Sequence, residues 1–254
     1  RITYFCCMDI LRSIIVWLVG AGIIVILFPL SFLVWLFALP FDRKRKAIHF
    51  MLIIHAMVLS YAIPVWKITI EGRKKAVKGT TYVIISNHQS ILDILLVNCL
   101  RYRFKWISKI ENTRVPFVGW YLWMADYIVV NRGDKESKEK MLEESYRCLS
   151  GGTSIMLFPE GTRSADNQIG FFKRGAFQLA LKANVPVLPV LIEGTGGVLP
   201  KHGLIFGGFH NITIRVLDPV SPEEFGTTDH DQLALRFQNM MTDAMRELRA
   251  EKNR

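Results

Sequence analysis

The residues best suited to acid–base chemistry are a histidine and an aspartate five positions apart, His88 and Asp93. The apolar run that ends at Ser86 predicts a buried strand, so His88 lies at a strand-to-helix turn. Five residues along a regular helix turn through about 500°, so the two side chains could not share one helix face. They can meet if His88 precedes the helix and Asp93 lies in its first turns, with Ser90 as the N-cap.

A histidine held in this way can act as a general base. A carboxylate that accepts the Nδ1–H fixes the tautomer of the imidazole and stabilises the imidazolium. The free Nε2 can then take a proton from a substrate hydroxyl. No nucleophile elbow adjoins His88 and the sequence has no GxSxG, so the pattern favours direct attack by an acceptor hydroxyl. The structural alternative is a turn histidine beside an aspartate that caps a helix.

A second polar segment, Phe158–Ser164 with the sequence FPEGTRS, follows another predicted strand. Its proline and glycine predict a tight turn with exposed backbone N–H groups. Arg163 offers a planar fork that suits phosphate, and Glu160 could bind a hydroxyl or orient Arg163. An ordinary charged turn is the alternative for this segment alone. Ligand sites lie past the carboxyl ends of parallel strands, so both segments predict one site with a phosphate near Arg163 and a hydroxyl near His88.

From Trp66 onward short apolar strands alternate with helices, which predicts an α/β fold with a mainly parallel central sheet and helices on both faces. Arg132 follows one of these strands and is expected at the same sheet edge as His88. Lys109, taken alone, is interpreted as a solvated charge. The predicted strands are 67–71, 81–86, 127–130, 153–158, 187–192 and 211–217. The predicted helices are one that begins near Ser90, 134–149, 175–183 and 229–252.

The N-terminal part of the chain is strongly apolar. No charged residue occurs between Arg12 and Asp42, whereas a membrane span needs about 20 apolar residues and a signal peptide has an apolar core of only about 7–15. Pro29 should kink or break a helix in this run. A second apolar stretch, 47–66, is interrupted by Pro64.

The two stretches predict a helical pair that either dips into one leaflet or crosses the membrane twice. We therefore divide the chain into a membrane-anchoring segment, residues 1–65, and an α/β domain, residues 66–254.

Charge and cysteine content also favour a membrane-bound protein whose catalytic part faces the cytoplasm. The net charge of +10 suits an anionic membrane surface or nucleic acid. The apolar run, followed at once by the basic cluster 43–46, favours the membrane, and no nucleic-acid partner is expected.

The cysteines at 6, 7, 99 and 148 form no CxxC pair and no zinc spacing, which indicates reduced thiols, a catalytic part that faces the cytoplasm, and no metal site. Cys6 and Cys7 precede the apolar run, where lipidation is conceivable but has no other support.

These residues resemble the glycerolipid acyltransferase superfamily. Residues 88–93 fit its HxxxxD signature, and 158–164 fit its FPEGTRS block residue for residue. The segment 119–132 resembles the intervening block that ends in an arginine, and 185–190 looks like the final block, which contains proline. The chain is most similar to the bacterial members that acylate 1-acylglycerol-3-phosphate.

The resemblance implies a role for each matched residue. His88 would be the general base on the sn-2 hydroxyl, with Asp93 as its orienting partner. Arg163 would contact the phosphate, and Pro189 would shape the acyl-donor side. The residues implied in acceptor binding are Glu160, Gly161, Thr162, Arg163, Arg132 and Lys109.

The resemblance also implies the reaction. An acyl thioester of coenzyme A or acyl carrier protein would be the donor, and phosphatidic acid the product, with no cofactor, metal or covalent acyl-enzyme. Backbone N–H groups at the helix start near Ser90 are a hypothesis for the oxyanion site. The expected location is the bacterial inner membrane, with the domain facing the cytoplasm. The alternatives are transfer to glycerol-3-phosphate or another lysophospholipid and, more remotely, a non-catalytic protein that binds anionic lipid.

Overall fold

The computed structural model describes residues 7–63 and 65–252. The predictions made for Cys6 and Pro64 therefore lie outside the described residues.

A seven-stranded sheet forms the centre of the domain, in the order β1-β7-β6-β2-β5-β3-β4. Every pair of neighbours is parallel except β6 and β7, which confirms the mainly parallel sheet. Strands β2 to β6 run in one direction, so their carboxyl ends share one edge. The strands are β1 Trp66–Glu71, β2 Val83–Ser86, β3 Phe104–Lys109, β4 Ile128–Val130, β5 Ser154–Leu157, β6 Val187–Glu193 and β7 His210–Val216.

Eight α-helices accompany the sheet in the described residues. They are α1 Cys7–Ala38, α2 Lys46–Ala62, α3 Leu92–Asn98, α4 Val118–Met124, α5 Lys135–Ser150, α6 Gly175–Ala183, α7 Thr195–Val198 and α8 His230–Lys252. Alternate residues of β2 enter two separate cores, Ile84 on one face and Val83 and Ile85 on the other. Residues of α2, α3 and α4 complete the first core, and residues of α5, α6 and α8 complete the second. Helices on both faces are thus confirmed.

Two elements that precede the second polar segment were not predicted. Strand β3 alternates buried Phe104 and Trp106 with half-buried Lys105 and Ile107, so it lacks the continuous apolar run that marks β2. Helix α4 has only seven residues and begins after Phe117, whose φ is 62°. A helix of about two turns depends on its packing, because short isolated helices are marginal in water.

The N-terminal run forms α1, 32 residues long and, by length and composition, apolar enough to cross a membrane. The helix continues through Pro29, so of the predicted kink or break the break is wrong and a kink stays a prediction. Proline has no N–H to donate, so α1 lacks one backbone hydrogen bond at Pro29. In the same turn, the Ser31 hydroxyl donates a hydrogen bond to the Leu27 carbonyl at 3.0 Å.

Helix α2 is attached to the domain by two buried histidine–tyrosine hydrogen bonds. His49 Nδ1 accepts from the hydroxyl of Tyr127, and His55 Nε2 accepts from that of Tyr121, each at 2.8 Å. Since buried polar groups need partners, these contacts fix where α2 lies on the first core.

Candidate active site

His88 and Asp93 form a hydrogen-bonded pair just after β2. His88 Nδ1 donates to Asp93 Oδ2 at 2.8 Å; the aspartate side chain is fully buried and that of His88 is 13% exposed. The imidazole stacks on Phe158, with ring centroids 3.9 Å apart and an angle of 7°. Among the described residues, Nε2 of His88 has no hydrogen-bond partner. The geometry thus leaves this nitrogen free to accept a proton.

The Asp93 carboxylate organises the whole turn. Its Oδ2 also accepts from the backbone N–H groups of Gln89 (2.6 Å) and Ser90 (2.8 Å), and its Oδ1 accepts from the Thr195 hydroxyl (2.6 Å). Helix α3 begins at Leu92 rather than at Ser90. Asp93 therefore occupies the N–H groups of Gln89 and Ser90, and an oxyanion site at the other N–H groups of this helix start stays a prediction.

Glu160 holds the backbone of the histidine. Its Oε1 accepts from the His88 N–H (2.9 Å) and its Oε2 from the Gly170 N–H (3.1 Å). The Ser164 N–H in turn donates to the His88 carbonyl at 2.7 Å. The FPEGTRS segment therefore fixes both sides of the His88 backbone. Burial raises the pKa of Glu160 to about 7, and the two N–H hydrogen bonds oppose that rise.

The raised pKa of Glu160 predicts a pH-dependent stability. The folded protein holds this proton more tightly than the unfolded chain does, so the stabilising contribution is complete below about pH 4.5 and is lost as the pH rises towards 7. The shift corresponds to about 3 kcal/mol at about 1.4 kcal/mol per unit. The glutamine in Glu160→Gln does not titrate. The melting temperature of this variant in detergent should therefore rise relative to that of the unchanged protein as the pH increases from 4.5 to 7.5. Parallel curves over this range would contradict the prediction.

Three cationic side chains surround the turn at Gly161. Arg132 donates to the Gly161 carbonyl, and a Cβ atom at Gly161 would lie only 2.7 Å from Lys173 Nζ. The φ of Gly161 is 71°, a conformation that glycine adopts without strain. Arg163 is half-buried and makes no hydrogen bond or ion pair within the described part of the chain. Its guanidinium is therefore available to an anionic ligand.

Sequence reasoning missed Lys173 and Thr195. Lys173 lies just before α6, and its N–H donates to the Pro159 carbonyl at 2.9 Å. That contact between segments brings its ammonium to the turn. Thr195 lies just after β6. The sequence signal that could have identified it as a site residue is this position, because β6 ends at the same sheet edge as β2.

In the described residues, the other predicted site residues make no hydrogen bond to the His88–Asp93 pair. Lys109 is 43% exposed and pairs with Glu111 at 3.5 Å. Thr162 is exposed. Pro189 is buried inside β6 in register with Ile85, away from the strand end, so its role on the acyl-donor side stays a prediction. Within residues 7–63 and 65–252, no group of three or more histidine, cysteine or acidic side chains could hold a metal ion.

Comparison with known proteins yields consistent matches. The family model described as Acyltransferase matches residues 67–193. A 1-acyl-sn-glycerol-3-phosphate acyltransferase of Chlamydomonas reinhardtii is 38% identical over 64% of this chain and 49% of its own length. The chloroplastic enzyme LPAT1 of Arabidopsis thaliana is 37% identical over 72% of this chain and 52% of its own length. The chain thus spans about half the length of these curated relatives.

A shorter relative and a solved structure match a larger share of this chain and of their own length. The alpha form of the same enzyme from Mus musculus is 33% identical over 78% of this chain and 69% of its own length. The crystal structure of the 1-acyl-sn-glycerophosphate acyltransferase PlsC from Thermotoga maritima superposes with a TM-score of 0.79 at 25% identity, covering 96% of this chain and 97% of the other. The model match over half of the chain and the match to the mouse enzyme show that this protein belongs to the acyltransferase family.

Proposed function

We propose that this protein transfers a fatty acyl group from an acyl thioester to the sn-2 hydroxyl of 1-acylglycerol-3-phosphate, giving phosphatidic acid. The observation that carries the proposal is the free Nε2 of His88 beside a turn that presents the guanidinium of Arg163. A base and a cation at adjacent positions suit an alcohol that also bears a phosphate. The names of the relatives point to the same acceptor.

The His88–Asp93 pair performs the proton transfers in this mechanism. Nε2 removes the proton of the acceptor hydroxyl as its oxygen attacks the thioester carbon, and Asp93 stabilises the resulting imidazolium. Collapse of the tetrahedral intermediate forms the ester and breaks the carbon–sulfur bond. The thiolate takes the proton back from Nε2, so the histidine is regenerated. A thioester is already activated, and we infer that no metal or other cofactor takes part.

Arg163, Arg132 and Lys173 form the phosphate side of the proposed site. A phosphate monoester carries up to two negative charges, and charge-assisted hydrogen bonds to guanidinium groups are among the strongest in proteins. Ser164, the residue after Arg163, donates its backbone N–H to the His88 carbonyl. This hydrogen bond holds the backbone of the Arg163 segment against the backbone of the histidine. Phosphate binding there would bring the neighbouring hydroxyl towards Nε2.

A panel of acceptors tests the reaction. The donor is a radiolabelled acyl thioester, either of coenzyme A or of acyl carrier protein, assayed with and without a metal chelator. We expect phosphatidic acid from 1-acylglycerol-3-phosphate and much less product from glycerol-3-phosphate or lysophosphatidylcholine. Product from one of the other acceptors alone would assign a different acyltransferase reaction. No product from any acceptor, with the protein folded, would contradict the proposal.

We further infer that α1 lies in the plane of one leaflet rather than across the bilayer. Trp17 donates to the Leu204 carbonyl at 2.8 Å, and Trp35 packs on Trp123 with ring centroids 4.8 Å apart. These contacts with the domain lie 18 residues apart, about 27 Å along the helix. A helix across a hydrocarbon core of about 30 Å would carry those parts of the domain into the lipid. The proposed location is the bacterial inner membrane, on its cytoplasmic face.

Labelling in sealed inner-membrane vesicles tests both statements. One variant keeps Cys7 as its only cysteine, and the other has Arg43→Cys as its only cysteine. An in-plane helix predicts that a membrane-impermeant maleimide labels both variants from the cytoplasmic side. Labelling from opposite sides would show a span. Labelling of both from the periplasmic side would overturn the cytoplasmic orientation, and recovery of the protein with another membrane would overturn the location.

A further inference from the structure

The tripeptide Glu-Gly-Thr occurs twice at the active edge of the sheet. One copy, 160–162, follows β5, and the other, 193–195, ends β6; these two strands flank β2. Each glutamate accepts a hydrogen bond from the turn after β2: Glu160 from the His88 N–H at 2.9 Å, and Glu193 from Gln89 Nε2 at 3.0 Å. The two copies therefore hold the catalytic turn from both sides.

The two threonines have different surroundings. Thr162 is exposed, whereas Thr195 is fully buried. The Thr195 hydroxyl donates to Asp93 Oδ1 at 2.6 Å, and it is the only donor to that oxygen in the described residues. Asp93 Oδ2 is shared by the imidazole of His88 and two backbone N–H groups. Oδ1 thus depends on a residue 102 positions away in the sequence.

The backbone around Thr195 is held closely in place. Gly194 has a φ of 101°, and a Cβ atom there would lie 2.5 Å from the Asn211 carbonyl oxygen. A Cβ atom at Gly196 would lie 1.7 Å from Asn167 Oδ1. Glycine is therefore required for this path of the chain at position 194, where the conflict is with backbone and φ is positive, whereas a larger residue at position 196 would displace the Asn167 side chain. The path places the hydroxyl against Asp93 in a fully buried site.

We propose that Thr195 is a positioning residue that holds the Asp93 carboxylate in the orientation in which it binds His88. The proposal rests on the function of His88 as the base. A buried carboxylate oxygen without a donor is destabilised, which favours rotation of Asp93 towards other donors or water. Rotation would release the Nδ1–H of His88 and thereby reduce the fraction of molecules whose Nε2 is oriented to take the proton.

Thr195→Val tests this, because valine keeps the shape of threonine and removes the hydroxyl. We expect kcat to fall about 10- to 100-fold, which is less than the loss of about 10²–10³-fold for a hydrogen bond made to the reacting group itself, because Thr195 acts through Asp93. KM for both substrates should stay within about twofold because no substrate contact is removed. Thr195→Ser, which restores the hydroxyl, should recover kcat to within about threefold of the unchanged protein. The matched control is Thr153→Val. Thr153 is buried just before the amino end of β5 and its side chain makes no hydrogen bond in the described part of the chain, so this variant should retain full activity.

A double-mutant cycle with Asp93→Asn shows whether Thr195 acts through the aspartate. Once the carboxylate is gone, adding Thr195→Val should lower kcat by less than about twofold. Full additivity, unchanged kcat in Thr195→Val, or a Thr195→Ser variant as impaired as Thr195→Val would overturn the proposal.

The same assays separate this proposal from the proposed function. Failure of the unchanged protein to acylate 1-acylglycerol-3-phosphate would refute the function alone. The series would then be run with whichever acceptor from the panel is acylated.

Discussion

Replacing His88 by alanine should lower kcat for acyl transfer to 1-acylglycerol-3-phosphate by about 10³-fold, within the range of about 10²–10⁴ for general acid–base catalysis. In the described residues, Nε2 of His88 has no hydrogen-bond partner, and no second histidine is hydrogen-bonded to Asp93. The acceptor hydroxyl would therefore have to lose its proton to water. KM should change little, since the imidazole acts mainly in the transition state.

The initial rate of phosphatidic acid formation from a radiolabelled thioester, in mixed micelles of detergent and lipid, measures this effect. His202→Ala is the matched control, because His202 is exposed in the loop after α7 and has no hydrogen-bond partner within the described residues. The control should keep the activity of the unchanged protein. Activity above about a tenth of that value in His88→Ala would rule out the histidine as the base, since such a residue normally supplies far more.

The geometry of His88 and Asp93 could be predicted because it is local. The spacing of five residues allows contact only across a helix start, and the structure has α3 beginning at Leu92, between them. The parallel sheet was predictable for a similar reason, since each strand carries its own apolar pattern. Partners from distant segments leave no such local signal. The bond from Glu160 to the His88 N–H joins residues 72 apart, and the one from Thr195 to Asp93 joins residues 102 apart.

The differences between expectation and structure have physical causes as well. A proline inside a helix removes one hydrogen bond, but α1 packs on the domain on both sides of Pro29, through Trp17 and Trp35, and its continuity follows from that packing. The oxyanion hypothesis assumed that N–H groups at a helix start are free. The carboxylate of Asp93, in the first turn of α3, already accepts from two of the N–H groups at this helix start, because a buried carboxylate away from water is destabilised unless it has hydrogen-bond donors.

Arg163→Gln should raise KM for 1-acylglycerol-3-phosphate about 10- to 100-fold, because hydrogen bonds between charged groups contribute about 1.5–3 kcal/mol each. The free guanidinium of Arg163 lies beside the turn that holds His88, and glutamine keeps much of the length of the side chain but not its charge or fork. Lys173→Gln should have a smaller effect, about fivefold, because an exposed ammonium is a hydrated point charge. Arg174→Gln is the control: it removes the next cation along the chain, which pairs with Asp231 at 3.8 Å.

An acceptor without the phosphate separates binding of that group from a general disturbance of the site. With 1-monoacylglycerol at high concentration, the unchanged protein and Arg163→Gln should transfer acyl groups at slow and equal rates, since neither can use a phosphate contact. The advantage of the phosphorylated acceptor, expressed as a ratio of kcat/KM values, should shrink by the same factor by which KM rises. If the variant instead loses the same factor with both acceptors, Arg163 supports the turn that carries His88, and the phosphate must be bound by Arg132 and Lys173 without it.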